Sequence, residues 1–560
     1  MEQANEQANT QTNQTSEPKI SNFRKWAILG VLSLALAIII IDTTILNVAL
    51  GTIIREFNTD IQSIQWVITG YSLTLAALTI TGGRLGDLYG RKKMFVLGAI
   101  IFAVGSFIAS ISNGVPVMVA GEAIIEGVGA ALMMPATASL LVATFRGSER
   151  ALAFGIWGGV AAASAAIGPI LGGWLTTNYS WRWAFRINIF VVLVLVIGSF
   201  LIRESQDTEE KPELDLAGVF LSATGLFFLV FGIIEASRYG WIKAKEILTL
   251  GNIKLDFGDY SFVPLTIVLG LLVLLIFFIW EYYTEKQGHT PLVSLKIFRN
   301  RQFTSGALTI MMLTLGLTGL IFIIPVFLQA VKGLDAFHTG LSLLPLSLTI
   351  LIVSPPAGFL STKIRPKYMI LVGMVLNTLA YLILRNSLNV DSTVWTLAPG
   401  FIVFGLGMGL VMGPASNLTL SAVSVQESGE AAGVNNTLRQ LGSTLGAAII
   451  GSVLLTALAT NLTTGINSSQ KIPEPLKQPL QVAIASQTSS VEFSGGAKID
   501  SRLPSSVAEE IVAIGHQATV DADKRALLFG AFFALLGFIT ALFIPGVRNV
   551  ERGESASSGH

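Results

Sequence analysis

Three acidic residues stand inside stretches of chain that are otherwise apolar. Asp42 interrupts the run from Trp26 to Leu50, and Glu122 and Glu126 interrupt the run that begins at Val115. An ionisable group at the middle of a bilayer costs about 2.5 kcal/mol or more, so it normally faces a polar interior and has a function there. Glu122 and Glu126 are four apart, which puts both on one face of a helix. No lysine or arginine lies deep in any apolar run to neutralise them, and Arg439 stands nearer a helix end. Two carboxyls on one face without a cation must share protons, so the pair should titrate as one unit. A proton-driven carrier needs groups of this kind. The structural alternative is that Asp42 bonds a neighbouring backbone group and Glu126 bonds a Ser or Thr across a helix interface.

The elements that must position these acids are membrane helices. The chain has 560 residues, 52% of them hydrophobic and only 13% charged, with a mean hydropathy of +0.66. A soluble protein of this size would divide into several domains and coat each with more charge. Here the apolar runs are near twenty residues, the length that crosses a hydrocarbon core as helix. About fourteen such spans are expected, starting near Trp26, Trp66, Met94, Val115, Ala151, Trp183, Leu216, Phe262, Phe303, Gly340, Tyr368, Leu397, Ala432 and Ala526. Residues 1–25 read as a disordered tail rich in Gln, Asn and Thr, with no signal peptide, and 547–560 as a second tail. Thr460 to Arg525 is a long polar insertion, expected as a partly ordered loop outside the membrane. Glu235, Glu281 and Asp335 fall near span ends, where solvated acids are ordinary.

An even number of spans puts both termini on one side. If that side is the cytoplasm, the inner links and tails hold 21 of the 36 Lys and Arg, against 15 outside. Ten of those 15 sit in Ser237 to Ser261 and Thr460 to Arg525, long links that weigh little in the positive-inside rule. Both termini are therefore expected in the cytoplasm. So is "LGDLYGRKKM" (Leu85 to Met94), a charged, glycine-rich turn between two greasy segments. Gly83, Gly86 and Gly90 allow a tight reversal. Asp87 can pair with Arg91 or face a helix N-terminus. The stretch reads either as a topogenic loop or as a cytoplasmic latch that holds one conformation and breaks in another.

Gly83 to Lys92, "GRLGDLYGRK", resembles the helix 2–3 signature of the major facilitator superfamily, with Leu88 where a basic residue is usual. "IDTTILNVAL" (Ile41 to Leu50) resembles the helix 1 motif of its fourteen-helix drug:proton antiporters. "SAAIGPILGG" (Ser164 to Gly173) is similar to their helix 5 antiporter motif, with Gly168, Pro169, Gly172 and Gly173 in the glycine and proline positions. "WRWAFRIN" (Trp181 to Asn188) is similar to their entry to helix 6, with Phe190 where Pro is usual, and "NNTLRQLG" (Asn435 to Gly442) agrees in the second half. On helix 4 the family reads Arg-x-x-Gln-Gly-x-Gly-Ala-Ala. Here "AIIEGVGAA" puts Ala123 for the Arg and Glu126 for the Gln, and Glu122 adds an acid. That exchange turns a positive site negative.

The resemblance implies an all-α integral membrane fold with two six-helix bundles (26–205 and 300–546) around a central cavity. An inserted helical pair (213–285) would stand between them, and access would alternate by rocking of the bundles. "GFLSTKIRPK" (Gly358 to Lys367) echoes the opening turn with Thr362 in place of the acid, so Asp87 alone should carry the latch. Trp66, Tyr71, Trp157, Gln329 and Asn417 are candidates for lining the cavity, with interfacial anchoring or helix packing as the alternative for each. The expected protein is a monomeric, multi-pass exporter of the plasma membrane. It would trade protons for lipophilic, cationic drugs or related amphipathic molecules. A dedicated exporter of one metabolite, antibiotic or lipid is the rival within transport, and a non-transporting sensor or scaffold is the rival outside it. Nothing suggests an enzyme or a cofactor: no Walker A sequence, zinc pattern or nucleophile elbow occurs. The chain has no cysteine, and His289, His338, His516 and His560 form no metal pattern. A net charge of +1 gives no hint of nucleic-acid binding.

Overall fold

A computed structural model describes residues 21–59, 61–205, 214–246, 248–250, 253–255, 257–487 and 504–546. The expected terminal tails, apart from a few residues, lie outside that range, as does His560. Among the described residues are fourteen helices of 18 residues or more, labelled in chain order. They are α1 (Asn22–Phe57), α2 (Ile61–Tyr89), α3 (Arg91–Ser110), α4 (Val115–Thr144), α5 (Gly147–Asn178), α6 (Arg182–Ser199) and α7 (Leu216–Tyr239). Then follow α8 (Val263–Lys286), α9 (Arg301–Ala330), α10 (Leu344–Lys363), α11 (Pro366–Ser387), α12 (Val394–Leu420), α13 (Ser428–Ser468) and α14 (Ser505–Leu542). Twelve of them are long and apolar enough to cross a membrane by themselves. Helix α5 is a thirteenth when its two parts, bent by 42°, are taken together. The bend precedes Pro169, whose ring removes a helical hydrogen bond. Helix α2 is as long but more polar, and it is packed among α4, α7 and α13.

Helix packing repeats across the chain. In the first half α1 packs on α5 and α6, α2 on α4, and α3 on α4 and α6. Adding eight to each label gives the second half: α9 on α13 and α14, α10 on α12, α11 on α12 and α14. The chain thus forms two six-helix bundles of one design. Between them in sequence come α7 and α8, which pack on each other, with α7 leaning on α2 and α13. The bundles meet through α2 against α13 and α5 against α10, a pairing that is itself symmetric under the same shift. There are two large apolar cores. The first is centred on Phe95, Phe102 and Phe154 and also takes in Phe303, Leu420, Ala431 and Val434 of the second bundle. The second is centred on Phe327, Phe401 and Phe404.

The outer surface explains the composition. Leu265, Val268, Leu272, Leu275 and Ile276 of α8 are exposed, as are Phe190, Leu193, Val194 and Ile197 of α6 and Val372, Val375 and Leu379 of α11. Such stripes fit lipid, since helical hydrogen bonding satisfies the backbone behind them. Ends are tied down locally. Glu56, past the apolar part of α1, accepts from the Trp181 indole at 2.6 Å and from Arg182. Those two donors hold its carboxyl below the usual range.

The long insertion is more helical than its polarity suggests. Helix α13 continues to Ser468, a short helix runs over Glu474–Gln487, and α14 begins at Ser505, well before Ala526. The link between α7 and α8 carries a two-stranded antiparallel hairpin, Leu248–Leu250 with Ile253–Leu255.

Candidate functional site

The three sequence-predicted acids come together. Asp42 of α1 and Glu122 and Glu126 of α4 each offer an oxygen within 4.8 Å of the others, and all three side chains are fully buried. A local irregularity positions the glutamates: Val119–Glu126 is a π-helical stretch inside α4. Such widened turns occur often at functional sites. Helix α3 approaches this stretch closely because Gly105 has no side chain, and a Cβ there would strike the Glu126 backbone. The close approach brings Ser106 Oγ to Glu126 Oε1 at 2.6 Å.

In the sequence Asn188 only ends the motif Trp181 to Asn188, yet it is the hub of the site. From α6 its Nδ2 donates to Asp42 Oδ1 at 2.7 Å, to Glu126 Oε1 at 3.0 Å, and towards Ser106 Oγ at 3.1 Å. Tyr71 of α2, buried with its hydroxyl unpartnered, lies within electrostatic range of all three carboxyls. One oxygen each of Asp42, Glu122 and Glu126 has no protein donor. Two carboxylates at that separation repel by roughly 3–4 kcal/mol even at an effective dielectric of about 20. Full ionisation of three is therefore untenable without a bound cation or a shared proton. The neutral donors Ser106 and Asn188 already point at these oxygens, an arrangement that suits protons better than a metal ion. Helices α1, α2, α3, α4 and α6 enclose the cluster, which makes it part of the interior of the first bundle.

Arg439 lies eleven residues beyond Ser428, where α13 starts, so it is nearer the N-terminal end of that helix but well inside it. Its Nη2 contacts Met134 Sδ of α4 at 3.4 Å, so it stands between the bundles. Glu281 is buried rather than solvated, as is Glu235, whereas Asp335 is exposed and caps the short helix Ala336–Ser342. Asp523, assigned by sequence to a loop, is fully buried in α14 with both carboxylate oxygens unpartnered.

At the Gly90 end, Asp87 meets both partners that the sequence offered. Arg91 donates to Asp87 Oδ1 through Nε at 3.1 Å and Nη2 at 2.8 Å. The first backbone N–H groups of α13 donate as well, Gly429 at 3.1 Å and Glu430 at 2.8 Å. Arg91 also reaches the Val425 and Gln426 carbonyls and Ser205. Gly83 and Gly429 make this approach possible: a Cβ on Gly83 would strike the Gly429 carbonyl, and one on Gly429 would strike Asp87. Gly90 turns with φ 107°, a region that favours glycine. Glu204, unnoticed in the sequence, accepts from Lys92 and Lys93 N–H and so caps α3. Thr362 bonds only the Phe359 carbonyl of its own helix.

The glycine motif of α5 is a packing surface. Gly168 and Gly172 lie on Thr44 and Ile45 of α1, and Gly173 lies against Phe337. Trp66 stacks on Phe231 of α7. Trp157 is buried edge-on to Phe154, with its indole N–H unpartnered. Asn417 accepts from Arg150 Nε of α5 at 3.0 Å across the bundle interface. Gln329 is half-buried in the last turn of α9.

Residues 32–447 match the profile of the Major Facilitator Superfamily. A probable actinorhodin transporter of Streptomyces coelicolor is 30% identical over 76% of this chain and 72% of its own. The multidrug efflux pump LfrA of Mycolicibacterium smegmatis is 30% identical over 76% of this chain and 80% of its own. Among solved structures, the human organic anion transporter MFSD10 (TETRAN) is similar in fold, with a TM-score of 0.53. It is 12% identical, covering 91% of this chain and 99% of its own. The chain belongs to the Major Facilitator Superfamily and is a multi-pass membrane transporter, not an enzyme.

Proposed function

We propose that this transporter is a proton-coupled exporter of amphipathic, drug- or antibiotic-like small molecules, acting as a monomer in the plasma membrane and belonging to the fourteen-helix antiporter branch. The observation that carries the reading is the buried meeting of Asp42, Glu122 and Glu126 with no arginine or lysine among them. Such a site must hold at least one proton, and losing it drives the carboxyls apart. Asn188 and Ser106 connect Asp42 and Glu126 to α6 and α3, so a change in protonation there loads four helices of one bundle at once. Because the site is enclosed within the first bundle, we assign it to the proton and the space between the bundles to the substrate. The substrate's charge then answers to groups between the bundles and not to direct exchange at the glutamates. The Asp87 contacts would hold the cytoplasmic end shut while the other end opens. The names of the two relatives, one a single-compound transporter and one a multidrug pump, agree with export and leave both breadths of specificity open to the same assay.

The test is transport by purified protein in liposomes carrying a pH gradient. Glu126→Gln should abolish gradient-driven transport and Asp42→Asn should be similarly severe, since Asn188 bridges those two. Glu122→Gln, whose carboxyl receives neither Asn188 nor Ser106, should be milder. Coupled transport that survives in Glu126→Gln with wild-type pH dependence would move the proton site elsewhere.

A further inference from the structure

The acids of the site and of the Gly90 end are enclosed or engaged, whereas two arginines between the bundles have no carboxylate partner among the described residues. Asp42, Glu122 and Glu126 are enclosed in the first bundle, and Asp87 and Glu430 are engaged at the Gly90 end. Between the bundles stand two guanidiniums. Arg150 of α5 has a neutral partner, Asn417 of α12. Arg439 of α13 lies eleven residues inside its helix, about 16 Å along the axis at the usual rise. Its only side-chain hydrogen bond among the described residues goes to the Met134 thioether, a weak acceptor. No carboxylate pairs with either arginine among the described residues.

The backbone at Arg439 is fixed, since Thr314 of α9 donates to its carbonyl at 3.1 Å. The side chain crosses from there to α4 and stays part-buried, which leaves N–H groups free for a further acceptor. Asn435, one turn earlier on the same face, is buried with its Oδ1 unpartnered. A cation held inside a membrane protein without a counter-ion is costly, and an anion that enters and pairs with it relieves that cost. The planar guanidinium fork matches a carboxylate through two parallel hydrogen bonds. The Met134 thioether is only a weak acceptor, so a carboxylate competes well with it for the guanidinium.

We propose that Arg439 receives an acidic group of the transported compound, a carboxylate or ionised phenol on a lipophilic scaffold, with the Asn435 amide beside it for a neighbouring hydroxyl. The inference rests on the reading of the chain as an exporter and names its substrate class. Arg439 thereby selects for charge, while the enclosed acids handle the proton.

The test is equilibrium binding to the full-length protein in nanodiscs, read by tryptophan fluorescence. The probes are a panel of aromatic carboxylic acids headed by anthraquinone-2-carboxylic acid, each with its methyl ester and its dimethylaminoethyl amide as neutral and cationic counterparts. Wild-type protein should prefer acids over esters by roughly tenfold or more, the value of a charge-assisted pair. Arg439→Gln should erase that preference, weakening acid binding far more than ester binding, and Arg439→Lys should restore part of it. A wild type that binds no acid in the panel, or that favours esters or amines, overturns the proposal. So does an Arg439→Gln protein that still prefers acids. If Arg439→Gln fails to fold, the wild-type series and Arg439→Lys decide. Binding is read without a pH gradient, so an intact acid preference without gradient-driven transport would count against proton coupling and not against Arg439.

Discussion

At the scale of single residues, the molecule separates the group that carries charge from the group that holds it in place. Asn188 has one amide nitrogen with two hydrogens, aimed at three oxygens on α1, α3 and α4. Hydrogen bonds to charged groups are worth about 1.5–3 kcal/mol each, so this amide favours ionised carboxyls that burial disfavours. Asn188→Ala should therefore alter the pH profile of transport and lower turnover. An unmoved profile with wild-type turnover would reduce Asn188 to packing. Asp42, Glu122 and Glu126 were legible in the sequence because an acid in an apolar run is conspicuous. Asn188 and Ser106 were not, because small polar residues are ordinary in membrane helices and their partners are set by packing across helices.

At the scale of elements, a side chain from one bundle closes the N-terminus of a helix in the other. The first N–H groups of α13 have no partner within the helix, and Asp87 supplies one carboxylate to two of them while Arg91 balances its charge. Asp87→Asn keeps an acceptor and loses the charge, so it should weaken this contact without unfolding either bundle. Gly83→Ala should act on the same contact by another route, since its methyl group meets the Gly429 carbonyl. Spin labels placed on α2 and α13 near this end should show a larger separated population in both variants, with slower transport. Wild-type distances and turnover in a folded Asp87→Asn protein would return the turn to a topogenic role. Most helix starts were readable from apolar runs and breakers. The start of α14 was not, because Ser505 to Arg525 is helical without being apolar, and its buried Asp523 reads as a loop acid until α14 is seen to continue through it.

At the scale of the whole molecule, the repeated packing of α1–α6 in α9–α14 constrains how the chain can sit in a bilayer. Helices α1 and α9 hold equivalent places, and eight helices separate their starts, so both bundles run in the same direction across the membrane. A crossing out and back by the inserted pair α7 and α8 would make the number of crossings even, which predicts that the start of α1 and the end of α14 share one side. Charge selects that side. Lys92 and Lys93 flank the Gly90 turn, and Lys363, Arg365 and Lys367 flank the equivalent turn between α10 and α11. Both clusters sit at the end where Asp87 joins the bundles, and by the positive-inside rule this end is predicted to face the cytoplasm. The chain has no native cysteine to confuse labelling. Single cysteines at Tyr89, at Ile364 and at Trp395, all exposed, should therefore report sidedness cleanly. An impermeant thiol reagent added to intact cells should label the Trp395 position alone, and permeabilisation should expose the other two. Labelling of the Tyr89 or Ile364 position from outside would invert the molecule and with it the direction assigned to the Asp87 gate.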